Sequence, residues 1–499
     1  MHEKTNKPLK TLHLENAMYQ KTENQQQFEN FHHPFGGQLR SDNRWVQLSK
    51  LISWNVLEEK YASQFAKSGM GAKAKPVRIA VGALIIKEKC GFSDEETVIQ
   101  IRENHYLQYF IGLPEYQDEE PFNPSMMVYF RKRLGDDILN EVNEMICSAE
   151  TKKDPEDHND KPGGNQSQKT NHGHLIVDAT CAPADIRYPT DLSLLNEARE
   201  KLEAIIDRLY KALPDKTTKP RTYRINARKD YLKAAKARKM TKQALRKAVG
   251  KQIRYVKRDL GIVDRLLQKT SDIPLKKKQK KDLETIRELY QQQQTMYKTK
   301  VHRIENRIVS ISQPYVRPIV RGKPSAETEF GLKLSVSLVN GFARIEKLSW
   351  DNYNEGIDLI AHAESYRRRY GFYPEVICAD KIYHNRESIR FCKEHGIRLS
   401  GPPLGRPNET ELKAQKRLTR MDSRIRNSIE GKFGEGKRRY GLGRIMAKLK
   451  ETSETVVALQ FLVMNLERKL RVLLCQFFKV QFLGFSNAGF RNYCMILEI

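Results

Sequence analysis

The stretch RNSIEGKFGEGKRRYGLGRI, residues 426–445, sets Arg426, Glu430, Phe433 and Lys437 at i, i+4, i+7 and i+11, one face of a helix. A carboxylate between two cations on one face is either a surface ion-pair ladder or a metal ligand whose neighbours hold a phosphate. Two further carboxylates bear on the choice. HLIVDAT and PEVICAD are short apolar runs of the kind that form buried strands, ending on Asp178 and Asp380. On neighbouring strands these side chains emerge side by side, and Glu430 on a helix packed across the sheet completes a cluster of three. Carboxylates that close repel one another and stay ionised only beside cations, usually hard divalent ions. Two Mg2+ ions about 4 Å apart activate an attacking hydroxyl and stabilise the leaving oxygen of a phosphodiester. Arg426 and Lys437 then serve as phosphate contacts. Pattern alone leaves Asp185, Asp191, Asp351 and Glu435 open as alternatives.

The elements that must position these residues follow from periodicity. Residues 1–45 are polar and glutamine-rich, an arm. Residues 46–150 read as helical. SDEETVIQIRENHYLQYFIGL opens with Ser93 and Glu96 at capping-box spacing and runs apolar through Val98, Ile101, Leu107 and Phe110. FNPSMMVYFRKRLG opens with Asn123 as N-cap and Pro124 at the first helical position. Two such helices suit a helix-turn-helix-like DNA reader or an ordinary bundle. Residues 151–172 lack apolar periodicity and read as a linker.

After the Asp178 strand come three apolar series at coiled-coil spacing. They are Leu195, Ala198, Leu202, Ile205 and Leu209; Ile253, Val256, Leu260, Val263 and Leu267; and Tyr297, Val301, Ile304 and Ile308. They predict a bundle of long helices over 193–312. Strand alternation returns at Leu332, Leu334, Val336 and Leu338, and Asn340-Gly341 supplies a type I′ hairpin turn. The expected order is one strand, the helical insertion, a hairpin, then alternating helices and strands: a mixed sheet flanked by helices.

Charge narrows the partners. The 499 residues carry a formal net charge of +28, which points to a polyanion, nucleic acid before an acidic membrane. Lys216 to Arg258 holds 17 Lys or Arg in 43 residues, with Asp230 the one acid. Lys236, Arg238, Lys239 and Lys242 at its centre are candidate DNA contacts. The most apolar stretch, TVVALQFLVMNL, has 12 residues, and a membrane span needs roughly 20. No apolar leader opens the chain, and the seven cysteines form no C-x-x-C pair, which fits a reducing cytosol and argues against a zinc site.

IVDAT, VICADKIYHNRESIRFCKEHGIRLSGPPLGRP and RIRNSIEGKFGEGKRRYGLGRI together resemble the three catalytic blocks of bacterial insertion-sequence transposases with a DDE active site. GFSDEETV and FNPSMMVYFRKRLG resemble the helical N-terminal domain of the same group. The resemblance spans most of residues 50–470. It implies an RNase H-like core, built from 173–192 and 313–470, in which Asp178, Asp380 and Glu430 bind two Mg2+ ions, with Mn2+ as a substitute. The basic insertion interrupts that core after its first strand, and 471–499 forms a tail. The family signature Tyr-x2-Arg-x3-Glu-x6-Lys is matched by Arg426, Glu430 and Lys437, while Ser423 stands at the tyrosine position.

The implied activity is hydrolysis at the element's ends, followed by attack of the freed 3′-hydroxyl on target DNA. The implied partners are double-stranded DNA, both element ends and target, and a second copy of the chain in a homodimer. The implied setting is the bacterial cytoplasm at the nucleoid. A structure-selective nuclease on the same core and a catalytically inactive DNA-binding relative are the competing expectations.

Overall fold

The computed structural model describes residues 37–65, 73–148, 171–213, 218–269, 275–323, 326–401 and 412–481. Most of the expected arm, residues 151–170 of the linker, the Pro/Gly loop at 402–407 and the end of the tail lie outside the described residues.

The N-terminal region is helical: α1 (Arg44–Leu51), α2 (Trp54–Ser63), α3 (Val77–Cys90), α4 (Asp94–Glu103), α5 (His105–Phe110) and α6 (Met126–Ser148). Ser93 caps α4 by accepting from the Glu96 amide at 3.0 Å. The expected single run through Phe110 breaks at Asn104, whose side chain accepts from the amides of Tyr106 and Leu107 and starts α5. An asparagine that competes for backbone donors ends one helix and caps the next. Asn123 holds the turn before α6, bonding the Ser125 amide at 3.0 Å, so the helix begins two residues later than expected. The compact helix-turn-helix expectation gives way to a packed bundle. Residues 111–125 separate α5 from α6, much longer than the 3–4-residue turn of that motif.

The sheet comprises β1 (His174–Pro183), β2 (Arg317–Lys323), β3 (Ala326–Val339), β4 (Phe342–Ser349), β5 (Val376–Cys378) and β6 (Arg398–Leu399). Its order is β2-β3-β1-β5-β6, with β4 also paired to β3. β1 is antiparallel to β3 and parallel to β5, which makes the sheet mixed as expected. β2 was not foreseen, because its RPIVRGK sequence mixes charge into the apolar alternation. The β3–β4 turn carries positive φ at both Asn340 (51°) and Gly341 (78°), the type I′ signature.

Between β1 and β2 run α7 (Asp191–Lys211), α8 (Arg224–Ala235), α9 (Lys242–Lys269) and α10 (Lys277–Thr299). Leu195, Ala198, Leu202, Ile205 and Leu209 of α7 bury against Ile253, Val256, Leu260 and Val263 of α9. The third expected series fails. α10 ends at Thr299, Lys300 takes a left-handed φ of 60°, and Val301 is exposed. The third helix lies earlier and buries Leu283, Ile286, Leu289 and Met296.

After β4 follow a 3-10 turn (Glu355–Asp358), α11 (Leu359–Tyr370), a second 3-10 turn (Lys381–Tyr383) between β5 and β6, α12 (Arg386–Glu394), α13 (Leu412–Arg439) and α14 (Lys450–Gln481). Each face of the sheet has its own core. Ile176, Leu334, Val336 and Cys378 pack toward α13 and α14 with Ile429, Phe433 and Phe461. Leu175, Val177 and Ile377 pack toward α11 and α12. The middle of α14, residues 456–466, is apolar on more than one face because it is buried on two sides. Val457 and Phe461 join the sheet core, while Leu459, Leu462 and Met464 join the N-terminal helices. The expected tail at 471 is thus a continuation of α14 as far as Gln481.

Candidate active site

Strand parity and register set the first two carboxylates. β1 pairs with β5 as His174↔Val376, Leu175↔Ile377 and Ile176↔Cys378. The same offset carried two residues on brings Asp178 level with Asp380. Ile176 and Cys378 both face α13, and side chains alternate, so Asp178 and Asp380 fall on the α13 side. Asp178 does not end its strand as the sequence suggests; β1 runs on to Pro183 beside β3. The strand end at this point is that of β5, which stops at Cys378, while Asp178 stays paired with Val336 of β3.

Asp380 begins the second 3-10 turn, and its carboxylate accepts from the Lys381 amide at 2.8 Å. The Asp178 carboxylate likewise accepts from the Ala179 amide at 2.8 Å. α13 supplies the remaining residues. Ile429 and Phe433 anchor it in the sheet core, which turns the adjoining row toward the strand ends. The helix ends at Arg439, two residues before Gly441, whose φ of +75° favours glycine, and the Leu442 amide reaches back to the Gly436 carbonyl at 3.1 Å.

All of these residues line one cleft of about 800 Å³: Asp178 and Asp380 from the sheet, and Arg426, Glu430, Phe433 and Lys437 from α13. Arg426 lies between two carboxylates, its guanidinium 3.8 Å from Asp380 and 3.5 Å from Glu430. Both carboxylates are more than half exposed, so these long contacts are weak and exchangeable. Ser423, at the tyrosine position of the signature, is exposed, and its hydroxyl donates to the Thr419 carbonyl at 2.8 Å.

None of the alternative carboxylates lines this cleft. Asp185 is held by Lys448 and Arg444, which lower its pKa below the usual carboxylate range. Asp191 pairs with Arg307 at 2.7 Å, and Asp351 lies 3.7 Å from Arg317. Burial pushes the Glu435 carboxyl up, but Lys432 and Arg471 outweigh it and leave the pKa lowered. Lys236, Arg238, Lys239 and Lys242 sit apart, all exposed, where α8 gives way to α9.

Two charged cleft residues escaped the sequence reading. Lys333 of β3 and Glu355 of the first 3-10 turn form an ion pair in the cleft wall. The signal available was a lysine between Leu332 and Leu334 on a strand with both faces covered.

Residues 377–467 match a family described as Transposase DDE domain, and residues 34–133 match one described as Transposase domain (DUF772). Over these two stretches the chain is similar to transposase domains. The DDE match covers Asp380 and Glu430 and begins beyond Asp178. The chain is also similar to "Uncharacterized protein ORF8 in nfe locus" of Rhizobium meliloti, 29% identical over 157 residues, covering 32% of this chain and 70% of that protein. No solved structure matches it.

DDE transposase domains use divalent metals. Among the described residues no group of three His, Cys, Asp or Glu converges closely enough to clasp an ion. The donor set nevertheless suits one: three hard oxygen donors face a single cleft, and between two of them a cation, Arg426, already sits.

Proposed function

We propose that the protein is a DDE transposase that binds the ends of its element, cleaves DNA by metal-dependent hydrolysis, and joins the freed 3′-hydroxyl to target DNA by transesterification on an RNase H-like core. The observation that carries this reading is the shared cleft, where Asp178 and Asp380 meet the Arg426, Glu430, Lys437 row of α13. Asp178, Asp380 and Glu430 are the residues that hold divalent cations. Such ions, when bound, supply charge that activates the attacking oxygen and stabilises the leaving one. Arg426 then turns from the carboxylates to the phosphate, and Lys437 about three turns further along α13 holds the same strand.

Each step makes one P–O bond and breaks one. Water attacks the scissile phosphorus and a 3′-oxygen leaves as the free hydroxyl. That hydroxyl then attacks a target phosphorus and displaces the target's own 3′-oxygen. No nucleotide is consumed, in keeping with the absence of a G-x-x-x-x-G-K-[ST] sequence.

The exposed cations Lys236, Arg238, Lys239 and Lys242 supply sequence-independent affinity for the DNA backbone. The N-terminal helices read the element ends, and two copies act together, one at each end. Their outer surface carries Tyr129, 54% exposed, and Lys132 on α6. Incubating the protein with DNA carrying the element's flanking repeats, with and without Mg2+, tests the proposal. Pre-cleaved ends offered with plasmid then separate a transposase, which yields joined products, from a nuclease, which yields none.

A further inference from the structure

Four carboxylates line the cleft, because Glu355 joins Asp178, Asp380 and Glu430. Its surroundings hold it there. The Lys333 ammonium, on a residue only 5% exposed, binds the Glu355 carboxylate and the Tyr353 carbonyl and lies 4.7 Å from the Tyr353 ring centre. A lysine buried to this extent is expensive to desolvate, and the pair adds little net stability over an apolar replacement. Stability therefore gives a weak reason for placing it in a cleft wall.

The turn bearing Glu355 is also locked to the turn that begins with Asp380. Asn385 donates to the Gly356 carbonyl at 2.8 Å, and a Cβ at position 356 would meet the Ile382 carbonyl oxygen at 2.3 Å. Only glycine permits that approach. Asp380 and Glu355 thus sit on two clamped turns that line the same cleft.

From this we infer that Glu355 is a fourth carboxylate of the cation site, held in position by Lys333, and that it strengthens divalent-ion binding by the cleft. This rests on the proposed reading of Asp178, Asp380 and Glu430. Lys333 is a positioning residue: it fixes the carboxylate and leaves the substrate to others.

Mn2+ titrated into the full-length protein without DNA, followed by electron paramagnetic resonance, tests the inference. Glu355→Gln and Glu355→Ala should each weaken Mn2+ binding about 10-fold, the scale seen when residues supporting a metal site are removed. Glu355→Asp should retain most of the affinity. Lys333→Met should weaken binding as well, and Lys333→Met combined with Glu355→Gln should be no weaker than Glu355→Gln alone, since both act through one carboxylate. Wild-type affinity in the Gln and Ala variants, with melting temperature alone reduced, would overturn the inference and leave Glu355 a structural partner of Lys333. Asp178→Asn distinguishes the two levels. If it loses Mn2+ while Glu355→Gln does not, only the fourth carboxylate falls. If Asp178→Asn also binds normally, the cation-site reading falls with it.

Discussion

The cleft and the helical insertion both contain carboxylates among arginines, on opposite terms. In the cleft, Arg426 reaches Asp380 and Glu430 at 3.8 and 3.5 Å, and both carboxylates are more than half exposed. In the insertion, Arg199 is 1% exposed and pairs with Glu203, beside Asp259, which is fully buried with neither carboxylate oxygen bonded. The first set is loosely held and free to exchange a guanidinium for another cation or a phosphate. The second is fixed by burial and can only help or harm the fold. Pairing by itself therefore says little about role; exposure and partner count say more.

That contrast predicts opposite phenotypes. Asp178→Asn and Asp380→Asn should each lower cleavage and strand transfer by about 100-fold or more, because a two-ion site short of one charged ligand no longer positions both ions. The unfolding free energy of Asp380→Asn, at an exposed position, should stay within about 0.5 kcal/mol of wild type. Asp185→Asn and Glu435→Gln should affect the reaction far less. DNA-nicking assays beside urea denaturation check both halves.

Arg199→Met should do the reverse. It strands Glu203 and Asp259 in the helical core, and removing one partner of a buried charge set costs about 3–5 kcal/mol. Calorimetry should show the loss, while nicking per folded molecule stays near wild type.

The pH dependence sharpens the insertion side of the comparison. Burial, reinforced by the Glu203 charge, pushes the Asp259 carboxyl up to about 7 against the pull of Arg199. Below about pH 4 both folded and unfolded chains hold that proton. As pH rises from there toward 7, the unfolded chain releases it first, so this site's contribution to stability falls across that window. Asp259→Asn should abolish the fall, and its advantage over wild type in thermal unfolding should grow from pH 5 to pH 8.

The smallest effect concerns the exposed cations. Replacing Lys236, Arg238, Lys239 and Lys242 by Gln should flatten the dependence of log K on log salt by roughly 0.9 for each lost phosphate contact, with end preference kept. An unchanged slope in filter binding would make these residues a solvated face. End recognition itself is best tested in the full chain. A fragment of the N-terminal helices alone would expose the surface that Leu459, Leu462 and Met464 of α14 cover.

What the sequence made legible was local and periodic. The α13 row Arg426, Glu430, Phe433 and Lys437 needs only helical spacing, and all four line the cleft. The Asn340-Gly341 hairpin and the α7 and α9 seams follow from turn chemistry and apolar period. What escaped depends on the rest of the fold. The series through Val301 imitates a helix, but Lys300 turns left-handed and ends α10 first. The ion pair of Lys333 and Glu355 joins residues 22 apart whose meeting depends on the path from β4 into the first 3-10 turn. That α14 has two buried faces is invisible in its composition, which marks it only as the most apolar stretch.

The central claim, that the exposed carboxylates of the cleft perform both the cutting and the joining, is tested most directly at Glu430. Pre-cleaved element ends are incubated with plasmid and Mg2+ in the presence of wild-type or Glu430→Gln protein, and joined products are counted. The wild type should produce them, while the variant should bind the ends yet join essentially none. Near-normal strand transfer by Glu430→Gln would contradict the assignment of this cleft as the catalytic site.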